Sequence, residues 1–170
     1  TLDTLAGQDF PSIVSFPGSG LHNSPSSLEK KDAVTENCFG INLTYDFNNL
    51  RLGLIWSGNS FSDPVNLSDN DPENLFDFEG RRNSVITACY RKSLKSLILF
   101  GEISCDSRKR LALVQGASFR PADRITINLI YRNYDPGFAS FHGKGPFASS
   151  AGNNVRGIFG NFTFETARYL

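Results

Sequence analysis

The densest run of groups able to do chemistry is Tyr131-Arg132-Asn133-Tyr134-Asp135-Pro136, which puts two phenols, a guanidinium, an amide and a carboxylate in six positions. At a strand-loop junction such a run suits contact with a ligand or a partner. The same residue types also serve structure, as strand-end aromatics, an Arg on a polar face and a turn-forming Asp-Pro. Tyr131, Arg132, Asn133, Tyr134 and Asp135 are therefore the candidate binding residues. Other chemistry has less to stand on. His22 and His142 are the only histidines. A metal site, or a Ser-His-acid set, would need them to converge with distant residues such as Cys105 and Asp106, and no spacing brings them together. Gly143-Lys144-Gly145-Pro146 lacks the G-x-x-x-x-G-K-[ST] pattern of a phosphate loop and does not join a strand to a helix. The acidic stretch Asp63, Asp69, Asp71, Glu73, Asp77, Glu79 lacks the ligand spacing of a calcium loop and reads as a solvated connection. Asn42, Asn66 and Asn161 each open an N-x-[ST] triplet, but two of the three fall inside predicted strands, where a glycan has no room. The chain is expected to have no catalytic residue, no metal ligand and no cofactor.

Charge and composition narrow the classes further. Lys plus Arg and Asp plus Glu are both 17 in 170 residues, so the net charge is zero. That offers no general attraction to nucleic acid or to an anionic surface. No apolar run approaches the roughly 18 residues of a membrane helix. The sequence has no Met and no signal peptide, so it reads as a processed chain or an excerpt of a longer one. Phe is abundant at 15, and with Ile, Leu, Gly and Asn it suits antiparallel strands and turns. The three cysteines, Cys38, Cys89 and Cys105, are an odd set without C-x-x-C spacing, and the first two read as small buried thiols inside strands.

The elements that must position these residues are strands. Between Cys38 and Gly58, Phe39, Ile41, Leu43, Tyr45 and Phe47 alternate with Gly40, Asn42, Thr44 and Asp46. Asn48-Asn49 is a tight-turn pair. If it closes a two-residue hairpin, Phe47 faces Leu50, Tyr45 faces Leu52, Leu43 faces Leu54 and Ile41 faces Trp56, all on one side. Asp46 then meets Arg51 on the other. A slip of one residue would destroy both patterns. This hairpin spans about Val34 to Gly58. A polar connection is expected over 59–82, then strands at Asn83–Arg91 and Leu97–Ile103 joined by a turn at Lys92–Lys95. A polar connection over Cys105–Lys109 leads to Arg110–Phe119 and Arg124–Tyr134, with a turn at Arg120–Asp123 that places Phe119 opposite Ile125 and Gln115, discordantly, opposite Leu129. A loop over 135–153 precedes a last strand, Val155 to about Thr166. Residues 1–32 read as an irregular N-terminal segment, a candidate plug or cap, with a short helical turn opened by Ser26-x-x-Glu29.

About seven strands in sequential hairpins make an antiparallel up-and-down meander over 33–170. Its short turns lie at one end and its longer connections at the other. That asymmetry, with strands of about nine to twelve residues, matches outer-membrane barrels. A soluble sandwich would alternate as well, with its apolar face inward.

Gly20 to Lys31 fits GLH-x-[ST]-x-x-x-L-x-KK, and Tyr131 to Pro136 fits Y-R-N-Y-x-P followed by a loop rich in Phe, Gly, Ser and Asn and an outgoing strand. On these motifs the chain from Gly20 onward resembles a family of Bacteroidota outer-membrane proteins that often carry helix-hairpin-helix repeats ahead of a large β-barrel. The repeats are not in this sequence, so no nucleic-acid role attaches to it. The resemblance implies an all-β section of a transmembrane outer-membrane β-barrel, located in the bacterial outer membrane. It would contact membrane lipid, with other outer-membrane or periplasmic proteins as partners in a complex. The expected role is structural, transport or complex scaffolding, porin-like and without chemistry of its own. Ile41, Leu43, Tyr45, Leu52, Leu54, Trp56, Ile127 and Leu129 are the expected lipid-facing residues. The alternative is a secreted, soluble all-β binding module whose apolar face is a core.

Overall fold

A computed structural model of the chain describes residues 2–3, 12–13, 34–66, 76–142 and 155–166. Among these residues the fold is all-β, without helices. Two short strands, β1 (Leu2–Asp3) and β2 (Ser12–Ile13), precede seven long ones: β3 (Glu36–Phe47), β4 (Leu50–Asn66), β5 (Glu79–Leu94), β6 (Leu97–Asp106), β7 (Leu111–Ala122), β8 (Ile125–Tyr134) and β9 (Arg156–Phe164). In sheet order the strands run β1-β2-β4-β5-β6-β7-β8-β9, with β3 paired to β4. The described chain divides into two compact units. One takes the residues up to Phe39 and Gly58–Ser84, the other Gly40–Ser57 and the residues from Val85 onward.

In the first unit, β1 pairs antiparallel with β2, and β2 pairs parallel with β4 through Ile13 and Val65. Ser12, Ile13, Asn59, Phe61, Val65, Phe78 and Asn83 are buried. Thr35 and Ser62 are tied twice, Ser62 N donating to Thr35 O (2.9 Å) and Thr35 N to Ser62 Oγ (3.2 Å). Here the connection expected over 59–82 is corrected at both ends: β4 continues to Asn66 and β5 starts at Glu79. Asp63-Pro64 had marked a turn, but burial of Phe61 and Val65 and the β2 pairing override that local preference. Leu2–Asp3 and Ser12–Ile13 are strand rather than irregular chain. His22, the helical turn expected after Ser26, and the rest of the proposed plug up to Asp32 lie outside the described residues.

The second unit is a seven-stranded meander, antiparallel through β5-β6-β7-β8-β9. The β3–β4 hairpin has the expected two-residue turn, and Asn48 takes the left-handed φ of 49° that Asn tolerates. Gly40 lies against the Trp56 carbonyl and Ser57, and Asp46 pairs with Arg51, as the expected register requires. Strands β4 and β5 also run in opposite directions, since Ser93 N donates to Asn49 O (2.8 Å) while Gly53 lies against the Cys89 sulfur.

Two turns are displaced from their expected positions. The β5–β6 turn is Lys95-Ser96 and not Lys92–Lys95, with Leu94 opposite Leu97. The β7–β8 turn is Asp123-Arg124 and not Arg120–Asp123. Pro121 sits within β7, in a bulge between Phe119 and Ala122, where its missing N–H is tolerated. The displaced turn and this one-residue bulge together move the register by two residues. Phe119 therefore stands opposite Ile127 and not Ile125, and Gln115 opposite Tyr131 and not Leu129. A two-residue slip keeps every side chain on its face, so the expected alternation survives.

Candidate functional site

The five residues chosen from the sequence do not converge. Along β8, Tyr131 and Asn133 point to one face and Arg132 and Tyr134 to the other. Tyr134 is buried, with its ring centroid 6.4 Å from that of Phe138. Asp135 is a loop anchor. Its N–H donates to Leu111 O (2.8 Å), its Oδ2 accepts from Leu111 N (2.9 Å), and its carbonyl accepts from Phe138 N (3.1 Å).

A second anchor beside it was not picked out from the sequence as a structural element. Asp106, whose side chain is fully buried, accepts the N–H of Arg108 and of Arg110 on Oδ1 (both 2.9 Å) and that of Ala139 on Oδ2 (3.2 Å). Arg108 adds a bond from Nη2 to the Gly137 carbonyl and stands 3.8 Å from Asp106. One carboxylate thus fixes the β6–β7 loop and the start of the loop after β8. The sequence carried a trace of this, since an Asp followed by a short polar run favours a bond to the backbone N–H two residues on.

The two faces of the meander differ sharply. Of the large hydrophobic side chains that stand exposed, all but Phe76 and Phe159 lie on one face. The eight residues expected to face lipid are among them, with Trp56 and Ile127 at 40% exposure, and Ile158 on β9 stands 75% exposed on the same face. The charged members of this face are Arg82 and Lys92 on β5 and Arg156 on β9, each within four residues of a strand end. Its discordant residue, Gln115, is accommodated. Gly101 separates it from Tyr90, the missing Cβ leaves room for the amide, and Tyr90 Oη donates to Gln115 Oε1 at 2.7 Å. A Cβ at Gly101 would lie 2.5 Å from the amide atoms.

The opposite face is polar and small. It carries the Asp46–Arg51 pair, with Arg51 Nε donating to Asp46 Oδ1 (2.7 Å) and Nη2 to Oδ2 (3.1 Å). It also carries the buried Thr87–Ser104 contact (2.8 Å), then Arg91, Glu102 and Arg132. The Phe100 ring lies over Gly116, where a Cβ would come within 2.2 Å of it. Asn42 and Asn161 lie within strands β3 and β9. Each accepts a bond from the Thr two residues on, Thr44 and Thr163, at 3.4 and 3.0 Å. The triplet spacing is that of neighbours on one strand face.

Among the described residues no group of three His, Cys, Asp or Glu is placed to hold a metal ion, and the three cysteines are unpaired thiols. The Gly143–Pro146 stretch and the middle of the acidic run, Asp69, Asp71 and Glu73, lie outside the described residues. No protein-family model matches the chain, and no curated protein or solved structure is detectably similar to it.

Proposed function

We propose that this chain is a section of an outer-membrane β-barrel, with its apolar face against lipid and its polar face lining the interior. The observation that carries the reading is that apolar face, exposed on all seven long strands with its charges confined to strand ends. Burying one large apolar side chain is worth about 1.5–3 kcal/mol, so a face of this extent calls for a covering medium. Turn lengths support a membrane orientation. Three two-residue turns, at 48–49, 95–96 and 123–124, lie at one end, and longer connections at the other. Strands of 9 to 17 residues are long enough to cross a tilted bilayer. Lys92 can extend its stem along the apolar surface and leave its ammonium at the rim. The role is structural, transport or complex scaffolding, located in the bacterial outer membrane, with lipid and other envelope proteins as partners and no chemistry of its own.

Trp56, the one tryptophan of this sequence, is a built-in reporter. The full-length protein is reconstituted in vesicles with and without brominated acyl chains, and its emission is compared with that of Trp56→Phe. Quenching of the Trp56 component is expected. An unquenched Trp56, in a protein that stays monomeric in water without detergent, would favour a soluble module with a covered apolar face and end the membrane reading.

A further inference from the structure

We propose that Arg51 and Arg91 form a binding site for a small oxyanion, a phosphate or a carboxylate, on the polar face of the meander. Asn49 and Ser93 are bonded across β4 and β5, and Gly53 meets Cys89, so Arg51 stands directly opposite Arg91. Like charges opposite one another on a sheet repel. Asp46 is already held by Arg51 through Nε and Nη2, and Glu102, diagonal to Arg91 on β6, makes no ion pair with it. Arg91 has no ion-pair partner among the described residues. The cluster therefore keeps one uncompensated positive charge.

These groups line one shallow pocket of about 300 Å³, shared with Asn49 and Ser93. An oxyanion there would take the free guanidinium fork of Arg91, whose planar donors match two oxygens of a carboxylate or phosphate. The remaining Nη1 of Arg51 would come from the other side. The anion removes the repulsion between the two cations, which is why this position, and not an isolated surface arginine, selects for it. Because Arg51 and Asp46 are more than half exposed, the affinity is modest and falls with salt. The inference rests on register and charge alone and does not depend on the membrane reading.

Inorganic phosphate is the probe, with succinate as the carboxylate arm, titrated into the full-length protein at low ionic strength and followed by calorimetry and phosphorus NMR linewidth. Arg91→Gln is expected to weaken binding about tenfold, and Arg91→Lys to weaken it less, since the charge stays and the fork is lost. Asp46→Asn is expected to tighten it several-fold by freeing Arg51. Arg124→Gln, in the β7–β8 turn, is the charge control and should change nothing. Without anion, Arg91→Gln should be at least as stable as the parent, and added phosphate should stabilise the parent only. Binding of neither probe, equal binding by Arg91→Gln, or weaker binding by Asp46→Asn would each overturn the proposal.

Discussion

Tyr90 and Gln115 offer a direct measure of what surrounds the apolar face. Their 2.7 Å bond spans the notch left by Gly101, and both residues are only half-buried, so their remaining surroundings are whatever medium covers the sheet. If that medium is hydrocarbon, no water replaces a lost partner. Tyr90→Phe then strands the Gln115 carbonyl oxygen, at a cost of about 1–3 kcal/mol. Gln115→Leu strands the phenol instead, but gains apolar transfer of about 1.5–3 kcal/mol, and should come out near neutral. The double variant removes both polar groups and should match or exceed the parent, leaving a coupling energy of about 1–3 kcal/mol. If the medium is water, the lost bond is replaced, Tyr90→Phe costs less than about 0.5 kcal/mol, and the coupling vanishes. Gly101→Ala adds an independent arm. It should cost about 1–3 kcal/mol in the parent and little in Gln115→Ala, whose side chain no longer fills the notch. The assay is denaturant unfolding of the full-length protein in lipid vesicles, followed by Trp56 emission. A Tyr90→Phe penalty below about 0.5 kcal/mol with no coupling, measured in vesicles, would refute the reasoning.

Two further expectations test how the sheet is held. Gly116→Val should destabilise by about 1–3 kcal/mol, because a Cβ there meets the Phe100 ring at 2.2 Å, and adding Phe100→Ala should recover part of the loss; unfolding midpoints measure both. Asp106→Ala removes three backbone N–H bonds from a buried carboxylate and should cost about 3 kcal/mol or more, with faster amide exchange at Arg108, Arg110 and Ala139 as its local signature.

The legible part of this chain was its alternation, and the illegible part was where each alternation stops. Phe39 to Phe47 and Leu50 to Trp56 announced their face, and Asn48-Asn49 pinned their register, because a two-residue turn leaves no slack. At Arg120–Asp123 the Pro pointed to a corner. The chain instead absorbed it as a bulge and turned at Asp123-Arg124. Strand ends at Asn66, Glu79 and Asp106 were set by burial of Phe61, Val65, Phe78 and the Asp106 carboxylate, none of which has a local sequence signature. The Tyr131–Asp135 run is divided in the fold for a related reason. Density along the sequence is split by the pleat between two faces, while Tyr90 and Gln115, far apart in sequence, meet.

Face and register bear differently on function. A slip of two residues leaves faces intact, so the reading of an apolar face against lipid does not depend on the β7–β8 register that was misplaced. A cross-strand site depends on register entirely. The proposed oxyanion site lies where register is firmest, between a strand fixed by the Asn48-Asn49 turn and the Asp46–Arg51 pair and a neighbour tied to that same turn by the bond from Ser93 to Asn49. Shifting β5 by two residues would move Arg91 from Arg51 to a position opposite Gly53 or Asn49, and the repulsion that makes the site would disappear. A disulfide formed between Gly53→Cys and the native Cys89 in the full-length protein would therefore report on the register that sets Arg51 against Arg91, independently of any anion.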